Sequence, residues 1–517
     1  MGKNWKSYKK LHRWPGLIIS FVLLYYGFTG IIMNHRELFS GIDFNRRIMP
    51  SNYDYRNWNN AALKGSLVIG SDSILVYGNI GIWLTDTTFT RYISLNQGFP
   101  KGSDNRKIFD IHKTSDGSLY AAAFSGLYGF DRATNSWERF NTDDRERRFT
   151  GIESIGDTVY AVNRSHLFIG ESEGIKTGFR KKELAPQPGY DSKITLFQTI
   201  WQIHSGEIFG IPGKVYVDML GIITIFLSVT GIIWFFAPGW IKKRIKRNRN
   251  AASLVKTGKW SLRWHNKIGA WTFPLLILLF LTGMFLRPPL LIAIGNSRVL
   301  PIKHSHLDQP NPWYDKLRDL LYDPGRNKLF LATSEGIYMM DPSVLKPEAP
   351  VSQPPVSVMG ITVFENYHGG NFLIGSFSGL FIWNPERTEI LDFIKGEPYR
   401  EPGMGRPVGD YKVTGMITDT RSKRYLVDYS TGIMPLHHNN FFPGMPENII
   451  RESKISLWSV CLEIHTGRIF ENITGGFYIL IVPLAGITGI IVVFSGYMVW
   501  RRKFRKKGYE NILQNDN

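Results

Sequence analysis

Leu11-His12-Arg13-Trp14-Pro15-Gly16 opens an apolar run that closes on Thr29-Gly30, and Trp264-His265-Asn266-Lys267-Ile268-Gly269 opens another that closes on Thr282-Gly283. In both copies the histidine precedes the threonine by 17 residues. A second pair follows the same rule: Ile203-His204-Ser205-Gly206-Glu207-Ile208-Phe209 recurs as Ile464-His465-Thr466-Gly467-Arg468-Ile469-Phe470. The offset between copies is 253 residues for the first pair and 261 for the second. The chain therefore reads as two copies of one plan of about 255 residues, each with a histidine before each of two long apolar segments.

Those apolar segments cover roughly residues 14–33, 215–236, 271–294 and 475–500. A membrane-spanning helix needs about 20 mostly apolar residues, so each is long enough. Only Asp218 and Arg287 are charged within them, and both lie toward an end. The first segment lacks a small-x-small cleavage site and reads as an uncleaved anchor, not a signal peptide. A buried core helix is the alternative for any one stretch, but four with matched flanks argue for a bundle.

Basic residues in short loops set the orientation. Residues 1–13 hold five Lys or Arg, residues 242–267 hold ten and residues 501–507 hold six, with no Asp or Glu among them. These 21 positive charges exceed the net charge of +19, so the basic balance is topology and not a nucleic-acid footprint. The expected location is a bacterial inner (cytoplasmic) membrane, crossed several times, with both termini cytoplasmic and the long segments 36–200 and 295–460 periplasmic.

The two long segments are polar, rich in Gly, Asp and aromatics, and punctuated like short strands and turns. Asp116-Gly117-Ser118-Leu119-Tyr120 leads to Ser125-Gly126-Leu127-Tyr128, Asn327-Lys328-Leu329-Phe330-Leu331 leads to Glu335-Gly336-Ile337-Tyr338, and Gly370-Asn371-Phe372-Leu373-Ile374 leads to Ser378-Gly379-Leu380-Phe381. Weaker copies begin near Ser71, Gly156 and Arg424. A spacing of about 40 to 50 residues is that of propeller blades. The best copies resemble the propeller repeats of bacterial two-component sensors. The expected fold is an α+β membrane protein. Four transmembrane helices form two tandem pseudo-symmetric pairs, and the periplasmic all-β part forms one composite β-propeller of about six blades. Two separate β domains are the alternative.

The expected division runs as follows: residues 1–35 hold the cytoplasmic N-terminus and first helix, and 36–200 the first half-propeller. Residues 201–240 hold a periplasmic pre-helix and the second helix, 241–262 a basic loop, and 263–294 the third helix. Residues 295–460 form the second half-propeller, 461–500 a pre-helix and the fourth helix, and 501–517 a cytoplasmic tail.

Twelve histidines are present, and four occupy the repeated pre-helix positions. His12 and His265 sit at the cytoplasmic ends of the first and third spans, and His204 and His465 precede the second and fourth on the outer side. Neutral imidazole binds haem iron well, and facing helices are a common place for such a site. Two histidines per layer fill both axial positions, an arrangement for electron transfer. A single interfacial histidine is usually only an amphipathic residue; the paired duplication argues for ligands. The outer pair poses a problem, because Pro212 and Gly213 lie between His204 and its apolar segment. Either the outer site lies at the membrane surface or the helix bends. His35 is a further candidate ligand or substrate contact, with an interfacial polar role as the alternative. His437-His438 and His304-Ser305-His306 are weaker candidates for metal or anion contact.

The single cysteine, Cys461, rules out an internal disulfide and a Cys-x-x-Cys-His attachment, so any haem is non-covalent. No dinucleotide fingerprint or phosphate loop is present. An electron donor is therefore a quinol or a separate reductase.

With these motifs, together with Thr230-Gly231 and Leu286-Arg287-Pro288-Pro289, the chain resembles the PepSY-associated transmembrane family. That resemblance implies haem b, two per chain, on His12, His265, His204 and His465, and reduction of periplasmic ferric chelates such as Fe(III)-siderophores. The β segments depart from the small α/β modules the family leads one to expect, which puts the substrate in doubt. Arg13, Arg263 and Lys267 are candidate partners of haem propionates. The alternative function is a membrane-anchored β-propeller that binds or senses without redox activity. A transporter is a third reading, with few spans and no broken-helix pair to support it.

Overall fold

A computed structural model describes residues 2–357, 360–400, 409–436 and 441–515. His437 and His438 lie outside these. The chain separates into two compact units. One comprises Met1–Phe39, Ser192–Asp308 and Trp458–Asn517; the other comprises Ser40–Asp191 and Gln309–Leu457. Each unit draws on both copies of the duplication.

The first unit is helical. Its long helices are α1 (Gly2–Asn34), α3 (Gly210–Lys246), α4 (Ala252–Phe285) and α6 (Ile481–Asn515), and two short helices, α2 (Leu196–Ser205) and α5 (Leu457–His465), precede α3 and α6. Four segments are long and apolar enough to cross a membrane: Lys6–Asn34, Glu207–Lys246, Ala252–Phe285 and Arg468–Arg502. Successive long helices pack side by side, and α6 returns to α1. The α1–α3 contact is close, because a Cβ at Gly27 would meet Gly221 O at 3.0 Å.

The third helix is shorter than its apolar run. It ends at Phe285, and a separate short helix covers Leu290–Ile294. Pro288 and Pro289 explain the break: neither has an N–H for the helical ladder, and each bars helical geometry from its predecessor. The bend anticipated near His204 is present. The side-chain oxygen of Thr195 caps α2 by accepting from Gln198 N at 3.1 Å, and α2 stops at Gly206, whose φ of 79° suits glycine. Gly467, with φ 74°, ends the α5 turn in the same way. The repeated His-x-Gly is thus a helix stop that turns the chain into the next span.

The second unit is all β apart from short turns and one helix, Glu447–Glu452. Among the described residues it contains six antiparallel sheets of three to five strands in chain order, three from each segment, and a two-strand pairing of Asp43-Phe44 with Ile455-Ser456. Their first strands are β1 (Gly65–Gly70), β2 (Ile108–Lys113), β3 (Phe149–Ile155), β4 (Leu317–Asp323), β5 (Val363–Tyr367) and β6 (Val413–Thr418). All six repeats read from the sequence fall in separate sheets. The β segments begin at Ser40 and Gln309, later than residues 36 and 295, because the intervening residues pack in the helical unit.

Apolar clusters fill each interface between successive sheets. Leu75, Ile108 and Trp137 join the first two sheets, Leu127 and Val159 the second and third, and Val162 and Leu331 the third and fourth. Phe330 and Phe372 join the fourth and fifth, and Leu373 and Leu426 the fifth and sixth. A further cluster with Val76, Trp83, Ile417 and Val427 joins the sixth back to the first. Met416 N also donates to Lys64 O at 3.0 Å, and Ser66 Oγ to Thr418 O at 2.8 Å. Burying one such aromatic or aliphatic side chain contributes about 1.5–3 kcal/mol, so these interfaces dominate the stability of the unit.

Candidate functional site

The four repeated histidines come together in two pairs within the helical unit. The His12 and His265 ring centres are 6.0 Å apart, and those of His204 and His465 are 6.4 Å apart. Along α1, the interval from His12 to Tyr26, whose ring centre lies 5.0 Å from that of His465, spans about 21 Å at the helical rise.

Each imidazole is held by a neighbouring helix through Nδ1. His12 Nδ1 donates to Val492 O of α6 at 2.9 Å. His265 Nδ1 lies 3.1 Å from Leu227 O and 3.0 Å from Thr230 Oγ1 on α3. His204 Nδ1 lies 3.1 Å from Leu279 O and 3.2 Å from Thr282 Oγ1 on α4. His465 Nδ1 lies 2.9 Å from Thr29 Oγ1 on α1. A backbone carbonyl can only accept, which places the proton on Nδ1 in the first three. Thr29 donates its own hydroxyl proton to Tyr25 O at 2.7 Å, so its oxygen accepts from His465 as well. In the neutral imidazole this proton position leaves Nε2 free in all four rings, the form that ligates iron.

A hydroxyl-glycine dipeptide underlies every ring. A Cβ on Gly30 would stand 3.4 Å from His465 Cε1, on Gly231 3.4 Å from His265 Cε1, on Gly283 2.8 Å from His204 Cε1 and on Gly496 2.6 Å from His12 Cε1. The three Thr-Gly pairs were visible in the sequence as markers. Their role as cradles was not, and the fourth, Ser495-Gly496, went unread because serine replaces threonine. The arrangement is reciprocal: α1 and α6 hold the histidines His465 and His12, and α3 and α4 hold His265 and His204.

Haem fits this donor set. A metal–nitrogen bond of about 2.0 Å, plus about 1.1 Å from nitrogen to ring centre, puts two imidazole centres about 6.2 Å apart across one iron. Both pairs lie close to that separation. A cavity of about 680 Å³, counting its open mouth, lies between His12 and His265 and is lined further by Ser20, Thr224, Phe280 and Tyr497. Among the described residues no group of three or more His, Cys, Asp or Glu is placed to hold a bare metal ion. Two nitrogens per site suit a metal whose other positions are filled by a macrocycle.

His35 is engaged elsewhere: its Nε2 lies 2.6 Å from Asp218 Oδ2, and Asn34 Nδ2 donates to the same carboxylate at 3.1 Å. Arg13 lies against Phe235 and Trp14, and Lys267 against Trp264 and Trp271. Arg287, read only as a span-end charge, has a buried Nε without an acceptor.

Solved structures similar to the chain include two extracellular domains of proteins described as hybrid two-component systems from B. thetaiotaomicron. They are 12% and 10% identical, with TM-scores of 0.33 and 0.32, over 74% and 72% of this chain. The chain spans 38% and 39% of their lengths. Dihydro-heme d1 dehydrogenase NirN is 9% identical with a TM-score of 0.29, over 73% of this chain and 57% of its own. No curated protein matches. The family model described as the PepSY-associated TM region matches twice, at residues 3–237 and 239–503, once for each copy of the duplication. This protein belongs to the PepSY-associated TM family.

Proposed function

We propose that this protein is a haem b electron-transfer protein of the bacterial inner membrane, in which His12 and His265 hold one haem and His204 and His465 a second. The observation that carries the reading is the pairwise approach of four imidazoles, each held through Nδ1 by a hydrogen bond to a neighbouring helix. Bound there, haem supplies reversible one-electron transfer between Fe(III) and Fe(II). The chain's own residues hold the rings. The carbonyls of Val492, Leu227 and Leu279 and the hydroxyl of Thr29 fix the tautomer, and the glycines leave room for the imidazole edges. The separation of about 21 Å keeps both pairs within a hydrocarbon core of about 30 Å.

The reaction proposed is reduction of ferric chelates, Fe(III)-siderophores among them, on the periplasmic side. Electrons come from quinol or a separate reductase. Hard-oxygen chelators hold Fe(II) less tightly than Fe(III), so reduction releases the metal. We read the six sheets as one closed six-bladed propeller; the cluster between the sixth and first sheets supports this, and such radial closure leaves only short, protected sheet edges. The basic flanks support cytoplasmic termini.

The test is the visible spectrum of detergent-purified protein from haem-replete cells, oxidised and dithionite-reduced, with a pyridine haemochrome count. Low-spin b-type bands at about two haems per chain are expected. A colourless protein overturns the proposal and leaves a membrane-anchored binding module.

A further inference from the structure

The first strands of the six sheets share a second pattern. The residue just before five of them is basic: Lys64 before β1, Lys107 before β2, Arg148 before β3, Lys316 before β4 and Lys412 before β6, with Thr362 before β5. Arg318 follows at the second position of β4. Burial draws the Lys64 ammonium down to about 7, and the charges of Lys107 and Arg148 act in the same direction. Burial likewise draws Arg318 down to about 9, with Arg164 and Arg148 adding to it against Asp315 and Glu146. The first strands β1 to β4 also pack against one another in succession, so their basic ends lie close together.

Several of these cations are compensated. Lys107 pairs with Asp104 at 2.5 Å, Arg164 with Asp315 at 2.5 Å and Lys316 with Glu335 at 3.0 Å. Lys64 is different: its Nζ stands 4.2 Å from the centre of the Phe109 ring and meets no carboxylate among the described residues. Among the described residues Arg318 donates to the backbone carbonyls of Asp315 and Leu317. Desolvated like charges held together are costly, and an anion seated among them relieves that cost. The planar guanidinium fork also matches the geometry of carboxylate and phosphate groups.

A boundary lies farther along the same strands. Asp110, Asp319 and Glu365 occupy the third positions of β2, β4 and β5, about 6.6 Å beyond the first. Any anion reaching that layer meets carboxyl groups, so the ligand must be small enough to stay among the cations.

We propose that Lys64, Lys107, Arg148 and Arg318 form a binding site for a small multivalent oxyanion of the carboxylate or phosphate class. The site is within the β unit and does not depend on haem, so its failure and that of the redox reading are separate results. The experiment is isothermal titration calorimetry on the full-length protein in detergent, with citrate and inorganic phosphate as separate titrants. Saturable binding of at least one is expected, weakened about tenfold or more in Lys64→Met. Lys64→Arg should retain it, and all variants should stay folded with wild-type haem content. A citrate preference marks a polycarboxylate site and a phosphate preference a phosphate-ester site. Should Lys64→Met fail to fold, Arg318→Gln takes its place. Absence of binding by either ion, or equal binding in a folded variant, overturns the proposal.

Discussion

Thr29 and His465 are 436 residues apart in the chain and 2.9 Å apart in space. The hydroxyl of Thr29 is committed to Tyr25 O, so its oxygen can only accept, and it fixes which nitrogen of His465 carries the proton. On the haem reading proposed above, ligation by that histidine depends on a residue from the opposite end of the chain.

Both members of a pair should be needed for one haem. His12→Ala and His265→Ala are each expected to lower the haem count by one and to abolish the same spectral component. The double variant should be no worse than either single. His204→Ala and His465→Ala should remove the other component. Full haem content in both members of a pair refutes its assignment.

The glycine cradles give a steric prediction. Gly283→Ala and Gly496→Ala place a methyl group 2.8 Å from His204 and 2.6 Å from His12, closer than real side chains approach. Each should displace its histidine and lower haem occupancy at that site. Gly258→Ala is the control, since its nearest neighbour is Ala237 Cβ at 3.5 Å. Equal haem content in all three would refute the cradle.

Thr29→Val and Thr230→Val should differ. His265 keeps Leu227 O when Thr230 loses its hydroxyl, whereas Thr29 is the acceptor for His465. Loss of such a partner typically weakens metal affinity about 10–100-fold. Haem dissociation and a raised midpoint potential are expected for Thr29→Val, with a smaller change for Thr230→Val. Redox titration of both variants checks this.

The β unit should lose stability as pH rises from the carboxylate range toward neutrality. Burial pushes Glu153 and Glu365 up from 4.5 to about 7. A carboxyl whose folded value is raised contributes its full stability below about 4.5 and loses it as pH rises through about 7. Lys64 works in the opposite sense, its penalty fading above about 7 as the amine loses its proton. For Glu153, which is 15% exposed, the ceiling is about 3 kcal/mol. Glu153→Gln keeps an oxygen for Tyr322 N and should raise the melting temperature more at pH 8 than at pH 5. Thermal unfolding at the two pH values measures the difference; an equal effect at both contradicts it.

Much of the helical unit was legible because its signals are local. An apolar run of bilayer length and a repeated His-x-Gly survive in one dimension, and so did the count of β repeats. The span through residue 294 was overextended, since hydropathy does not register that Pro288 and Pro289 cannot continue a helix. His35 has a carboxylate partner, Asp218, that spacing alone did not reveal.

The sequence by itself determined the duplication, the four apolar spans, the six β repeats and the four histidines, because each depends on composition and period along the chain. The repeat already placed His12 with His265 and His204 with His465 by layer; the tertiary structure decided how closely they approach, with ring centres 6.0 Å and 6.4 Å apart. It also decided the proton positions, the glycine cradles and the cationic cluster at Lys64. These depend on atoms of remote segments meeting within hydrogen-bond or van der Waals distance, and only the packed chain sets such distances.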